Sequence, residues 1–521
     1  MNLTRALGSI GSLTLVSRVL ALVRDSLQAT FVGAGFASDA FLVAFRLPNM
    51  FRALFAEGAF NAAFIPLFNK KVAEGEGLPA GLVFAERALA VLFPVVVVFT
   101  LVMIAAAWPV TWLLSGGFND PTPEQFAFAV SLSRITLPYL ALISLVSLLG
   151  GILNSLDRYW VNAAAPILLN VAMISGLWFF HGATAYETAR VQAITVTLGG
   201  VLQLAWLIIA CRSAGVSLKL RLPRIDADMR RLFKLIVPAA AGAGATQINL
   251  LVSTALAGAL LDPGAISYIY YADRLNQLPL GLIGIGLATI LLPTVSRLLG
   301  AGKDAEAMEV QNRGIELALF LTLPATTAFI LVAEPIVRGL FEHGAFTAED
   351  TVRCAWALSA FSIGLPAYVL IKVLTPGFYA REDTRTPVRF ATISVGVNLA
   401  LNLALIPTIG HIGPPLATAA AAIVNVALLY SALRKRGHFR ADTRLKRRLP
   451  RLAVAAALMG AALWAGEAVL DPYLVAGFWV RVAALLALVA AGALAYALGS
   501  LIAGAYRPSD LKALVRRRSA T

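Results

Sequence analysis

An all-α polytopic membrane protein is the fold class this sequence predicts, with about fourteen transmembrane helices. They are expected as two six-helix lobes in parallel repeat, followed by two C-terminal helices. Three observations carry the prediction. Of the 521 residues, 59% are hydrophobic and only 14% charged, with a mean hydropathy of +0.79. A soluble domain is nearer half apolar and about a quarter charged. Apolar runs long enough for a ~30 Å hydrocarbon core, roughly 20 helical residues each, recur along the whole chain. The third observation is an internal repeat whose unit is six such runs.

In chain order the runs fall near 6–32, 40–68, 86–113, 126–153, 161–181 and 188–212, which make an N-lobe over 1–225. Runs near 232–260, 267–298, 311–338, 351–378, 387–408 and 413–434 make a C-lobe over 226–440. The last two, 452–470 and 478–504, belong to a helix pair and basic tail over 441–521. Many runs contain proline (Pro94, Pro138, Pro166, Pro238, Pro293, Pro324, Pro366). Membrane helices tolerate such breaks where neighbours satisfy the freed backbone groups. The opening MNLTRALGSIGSLTLVSRVL lacks a small-residue cleavage site, so the first helix is expected to be retained.

The repeat is read from LLSGGFNDPTPEQFAFAVSLSRITLPYL (113–140) against GLFEHGAFTAEDTVRCAWALSAFSIGLPAY (339–368), which pair Phe118 with Phe346 and Pro138 with Pro366. Pro66 with Pro293, Pro94 with Pro324 and Pro109 with Pro335 follow at nearly the same offset. An even number of helices per unit keeps both copies in one orientation, as in parallel repeats with the substrate site where the lobes meet.

The net charge of +15 raises the question of nucleic acid, but the basic residues sit in alternate links, as the positive-inside rule expects. Lys70 and Lys71, Arg158, the link from Arg212 to Arg231, Arg297 and Lys303, Arg381 and Arg385, and the link from Arg434 to Arg448 share one side with the tail. The opposite links GAGFAS, SGGFNDPTPEQ and LDPGA hold no Lys or Arg, with Arg190, Arg338, Arg353 and Arg481 as scattered exceptions near span ends. Both termini are therefore expected in the cytoplasm, with no nucleic-acid partner. Cys211 and Cys354 form no CxxC, and His181, His343, His411 and His438 show no metal spacing. No catalytic residue and no metal site is expected.

The residues that invite chemistry are charges at bilayer depth, each costing about 2.5–3.5 kcal/mol on insertion scales. Residues 17–61 carry Arg18, Arg24, Asp25, Asp39, Arg46, Arg52 and Glu57 within two apolar runs. Arg18 and Asp25 lie seven apart, on one helix face. Such pairs can simply pin helix to helix. The cations outnumber the acids, however, and Arg offers a planar donor fork that suits phosphate. Asp273 and Arg274 form a second charged pair in ISYIYYADRLNQLPLGL, either capping the entrance of the span or completing a cationic cluster. A polar set, Asn398 and Asn402 one turn apart with Thr418 in the next span and Asn249, Ser253 and Thr254 in span seven, offers oxygens of the kind hard cations take. Hydrogen bonding between helices is its other use. Glu316 and Lys372 also lie within spans and receive no role.

These residues carry a resemblance. SRVLALVRDSLQATFVGAGFASDAFLVAFRLPNMFRALFAEGAFNAAFIP and YYADRLNQLPLGLIGIGLATILLPTVS closely resemble the MurJ (MviN) family of bacterial lipid II flippases, within the MOP exporter superfamily. The similarity runs the whole chain. It implies alternating access around a central cavity and movement of the undecaprenyl-diphosphate disaccharide pentapeptide, lipid II, from the cytoplasmic to the periplasmic leaflet of the inner membrane. The family's cavity arginines match Arg18, Arg24, Arg52 and Arg274, and Asp25, Asp39 and Glu57 stand where the family also has acids. Members with a bound sodium ion hold it between spans seven, eleven and twelve. This chain has Asn398, Asn402 and Thr418 there, without a carboxylate. Na⁺ and the membrane potential are thus the two coupling agents the resemblance leaves open. The last two helices are expected to hold the prenyl tail, and membrane lipids and cell-wall synthesis proteins are the further partners implied. The alternatives are an exporter of another polyprenyl-linked saccharide, or a non-transporting scaffold of cell-wall synthesis.

Overall fold

The computed structural model describes residues 3–55, 59–75 and 77–506, and the regular elements among them are all helical. Two compact units divide the chain: Met1–Ser267 with His343–Phe346, and Tyr268–Glu342 with Thr347–Thr521. This division follows packing, whereas the expected lobes follow the sequence repeat.

The first unit is built from α1 (Leu3–Val32), α2 (Phe36–Phe55), α3 (Ala59–Glu74), α4 (Leu78–Ala105) and α5 (Ala107–Ser115). After these come α6 (Pro123–Thr136), α7 (Tyr139–Ser155), α8 (Tyr159–Phe179), α9 (Ala185–Ser213) and α10 (Ala227–Leu260). Local chemistry sets the boundaries. Thr122 and Gln125 form a reciprocal capping box at the start of α6, and Thr184 and Glu187 do the same for α9. α1 packs on α8, α2 on α6, α7 and α9, and α3 on α4, α7 and α10. Between α3 and α4 the core is aromatic, with Phe64 within 5.3–5.7 Å of the rings of Phe60, Phe68 and Phe84.

α5 and α10 meet backbone to backbone. Gly116 ends α5 at φ +64°, and a Cβ there would lie 2.2 Å from the carbonyl oxygen of Ala255. A Cβ on Gly258 would lie 2.2 Å from that of Ser115. Only glycine admits this approach.

The second unit continues α11 (Ala265–Pro279) from Tyr268 and passes through a π-helical turn at Leu280–Gly284 into α12 (Ile285–Gly300). It goes on with α13 (Asp304–Leu331), α14 (Ala333–Phe341), α15 (Ala348–Ile363), α16 (Leu365–Leu374) and α17 (Pro376–Tyr379). The chain ends in α18 (Arg385–Ile409), α19 (Gly413–Lys435), α20 (Thr443–Leu474) and α21 (Phe478–Ile502). Thr347 and Asp350 cap α15 with another box. α13 packs against α12, α15, α16 and α20, α18 against α19, and α20 against α21.

The repeat is visible in the lengths of the helices. α3 and α12 both have 16 residues, α4 and α13 both 28, and α5 and α14 both 9. The three pairs are separated by one constant interval, and that interval also maps Arg87 of α4 onto Arg313 of α13. Each arginine holds the aspartate that opens a later helix. Arg87 Nη1 lies 2.8 Å from Asp226, whose side chain accepts from the backbone N–H of Met229 in α10. Arg313 pairs with Asp442, which accepts from the N–H of Leu445 in α20. The two C-terminal helices are therefore entered through the same device as the second repeat.

Among the described residues, ten helical stretches are long and apolar enough to cross a membrane. One of these, Arg385–Lys435, contains both expected spans 387–408 and 413–434, because Gly410–Ile412 tightens into a 3₁₀ turn instead of leaving the helical path. The expected spans 6–32, 40–68 and 232–260 each include positions outside the described side chains, and the ten do not bear on them. In the second of them, α2 places Asp39, Arg46 and Arg52 within 20 residues. Large apolar side chains stand on the outside, with Leu113 69%, Trp464 72% and Ile502 80% exposed. Faces like these suit hydrocarbon as solvent.

Candidate functional site

The charged residues of α1 and α2 are folded into the first unit, each in a different way. Arg24 is 5% exposed and Asp25 1%. The Arg24 guanidinium donates through Nε and Nη2 to Asp25 Oδ1, at 3.0 and 2.7 Å, and through Nη1 to Asn170 Oδ1 of α8, at 3.0 Å. Asn170 Nδ2 in turn donates to the carbonyl of Ser17 at 3.1 Å. A buried guanidinium is tolerable only when its charge and donors are met. Here a carboxylate and an amide meet them, and the same bonds tie α1 to α8. Arg18 sits half-buried on the same helix.

Asp39, 2% exposed, is held by neutral donors. Its carboxylate accepts from the backbone N–H of Gly264 at 2.7 Å, the N–H of Ser267 at 2.8 Å and the hydroxyl of Ser267 at 2.6 Å. These donors lie at the start of α11, where a helix presents unsatisfied N–H groups and partial positive charge. Arg46 donates to Thr254 Oγ1 of α10 at 2.5 Å, and Arg52 donates to Asn49 Oδ1 at 3.2 Å, one turn earlier in α2. Glu57 lies outside the described residues. Bonds of this kind to neutral oxygens are weaker than the charge-assisted bonds an arginine forms with a phosphate oxygen.

In the second unit Arg274 places its guanidinium 4.8 Å from the centroid of the Tyr270 ring, one turn away. Gln277 donates to Asp273. A cation over an aromatic face keeps its charge with little loss of donors.

Asn398, Asn402 and Thr418 do come together. Asn402 Nδ2 donates to Asn398 Oδ1 at 2.9 Å, Asn398 Nδ2 to Thr418 Oγ1 at 3.2 Å, and Thr418 Oγ1 to the carbonyl of Pro414 at 2.8 Å. Two amide N–H groups and a hydroxyl are spent within a chain of bonds that joins α18 to α19. The bonds described in this chain run between amides, a hydroxyl and a backbone carbonyl. No group of three or more His, Cys, Asp or Glu gathers among the described residues.

Two partners escape sequence reasoning. Asn170 is one polar residue in a long apolar run, and only packing reveals that it receives Arg24. Glu316, 3% exposed in α13, is the acceptor for Arg313, Arg444 and Arg448. Its signal was present in the sequence as a carboxylate inside a span, facing an excess of arginines in the link after α19.

A family model described as "Lipid II flippase MurJ" matches residues 28–485. A relative from Rhizobium meliloti (strain 1021), named "Probable lipid II flippase MurJ", is 45% identical over 467 residues, covering 89% of this chain and 86% of the relative. A solved structure titled "Lipid II flippase MurJ, inward closed conformation" superposes with a TM-score of 0.79 at 25% identity, over 95% of this chain and 98% of that one. An inward-facing multidrug resistance MATE family transporter of the MOP superfamily shares the fold, with a TM-score of 0.66 at 16% identity, over 83% of this chain and 98% of that one.

Proposed function

Since the chain belongs to the lipid II flippase MurJ family, we propose that it moves lipid II from the cytoplasmic to the periplasmic leaflet of the inner membrane by alternating access. The match over residues 28–485 carries the reading, and the arginines set in apolar helices, Arg24 buried and the others half-buried, supply its chemistry. Lipid II joins a disaccharide pentapeptide to an undecaprenyl chain through a diphosphate, and the polar part cannot cross hydrocarbon unaided. In the proposed mechanism Arg18, Arg24 and Arg52 on α1 and α2, and Arg274 on α11, neutralise the diphosphate. Arg52, bonded to Asn49, and Arg274, set over the Tyr270 ring, contribute guanidinium donors. Arg24 contributes from a network in which Asp25 sets its orientation. The prenyl tail stays in lipid or against the exposed apolar faces of α20 and α21.

Both termini are proposed to be cytoplasmic, from the Lys and Arg concentrated in alternate links. The proposed driving force is the membrane potential, because expelling an anion from a negative interior is downhill by about 2.3 kcal/mol per charge per 100 mV. No catalytic chemistry is assigned to any residue.

The test is complementation in cells depleted of their own lipid II flippase, with lipid II counted on the outer leaflet. Arg24→Ala, Arg52→Ala and Arg274→Ala should insert normally and fail to restore translocation. Full rescue by all three overturns the assignment.

A further inference from the structure

The link after α19 holds a second concentration of positive charge, and the fold sorts it into two kinds. Arg313, Arg444 and Arg448 converge on Glu316, and Arg436 donates to Asp383 at 2.6 Å. Arg434, Arg440 and Lys446 have no acidic partner among the described residues. These three, with Tyr430 and Ala441, line one cleft of about 430 Å³.

The cleft is built rather than incidental. Each cation directly follows a buried apolar anchor: Leu433 precedes Arg434, Phe439 precedes Arg440 and Leu445 precedes Lys446. The anchors are 0%, 0% and 3% exposed and belong to one core cluster. The ring of Phe439 meets that of Tyr430 edge-on at 5.8 Å. Asn312 fixes the intervening backbone, donating to the carbonyl of Arg440 at 2.9 Å and accepting from the N–H of Asp442 at 3.1 Å. Three like charges are thus held around one space by a rigid frame that supplies no counter-charge. Like charges repel when brought together, so the frame is poised for an anion.

The height of the cleft narrows the ligand. Arg434 lies in the last turn of α19, where its apolar run stops, and Lys446 lies in the first turn of α20, before its apolar run begins. Tyrosine and basic side chains at that level face lipid headgroups. We infer that Tyr430, Arg434, Arg440 and Lys446 form a binding site for a phosphate-bearing anion, drawn from an anionic phospholipid headgroup or from soluble phosphate. Two arginine forks and one ammonium match the oxygens of a phosphate.

The experiment uses the full chain purified in a neutral detergent, with native mass spectrometry and titrations as readouts. The probes are phosphatidylglycerol, phosphatidylcholine and inorganic phosphate. Two variants carry the same net charge. One is R434A/R440A/K446A, and the other is R224A/K435A/R447A, which removes three exposed cations outside the cleft. The site predicts that the intact chain retains phosphatidylglycerol over phosphatidylcholine. The cleft variant should lose that binding by about tenfold or more, because it removes the direct charge-assisted bonds to the phosphate, and the control, whose cations do not line the cleft, by less than about twofold. Inorganic phosphate that displaces the lipid from the intact chain identifies soluble phosphate as a sufficient ligand, and failure to displace it assigns the site to a lipid headgroup. Equal losses in the two variants overturn the proposal in favour of diffuse surface charge. Retention of every probe by the cleft variant overturns it outright. Unchanged thermal unfolding of both variants, expected of exposed positions, separates lost binding from misfolding.

Discussion

At the scale of single residues, Arg24 and Asp39 show two ways of keeping a charge inside apolar helices. Arg24 is met by a carboxylate on its own helix and an amide on α8, whereas Asp39 is met by N–H and hydroxyl donors at the start of α11. Asp25→Ala would leave the guanidinium of Arg24 buried without its counter-charge. Breaking a buried pair this way costs about 3–5 kcal/mol, so the variant should unfold at markedly lower denaturant in detergent. Asn170→Ala should cost less, about 1–3 kcal/mol, and an unchanged midpoint in both would show that the network holds nothing. At the polar surface, Asp383 accepts hydrogen bonds from Thr386 and is paired with Arg436, which together hold its carboxyl down to about 2. A depressed pKa contributes stability that is present above the usual carboxylate range and lost as the pH falls toward 2. The Asp383–Arg436 tie should therefore stay closed at every physiological pH. Hydrogen exchange in the link at pH 7 should rise in Asp383→Asn and remain low in the parent chain.

At the scale of helices, two contacts decide how elements are held. Gly116 and Gly258 let α5 and α10 approach with backbone atoms in contact. Gly258→Ala would press a methyl against the carbonyl of Ser115, which no rotamer relieves. Overpacking of this kind costs about 1–3 kcal/mol, measurable as a loss of thermal stability in detergent. Glu316 is the other point, the carboxylate on α13 that Arg444 and Arg448 of α20 share. Glu316→Gln should leave the helices folded but loosen α20, seen as faster proteolysis in the link around Arg440. The helices themselves were legible in the sequence because apolar length is a strong, local signal. Their breaks were less so: the run 86–113 divides at Ala106 into α4 and α5, and 351–378 becomes three helices. Prolines hint at such breaks, but neighbouring helices decide whether the axis bends or stops. Among the site residues, charge inside an apolar run marked Arg24, Asp39, Arg52 and Arg274. The partners of Arg24 and Asp39, namely Asn170, Gly264 and Ser267, are ordinary residues far away in sequence, with no local pattern to announce them.

At the scale of the whole molecule, collapse of the membrane potential with valinomycin and potassium should halt appearance of lipid II on the outer leaflet. Continued movement at the same rate would overturn the proposed driving force. The paired locks Arg87–Asp226 and Arg313–Asp442 carry a consequence for how the chain can be cut. A lock that seats the first turn of α20 through side chains on α13, reinforced by Glu316, does not depend on the peptide bonds of residues 436–441. Severing the chain there should leave two pieces that find each other. Fragments 1–437 and 438–521, expressed from separate promoters, should co-purify and support growth. The same cut combined with Arg313→Ala should release the smaller piece. In that sense the C-terminal pair is a detachable module, docked by the fastening that its chain has already used once.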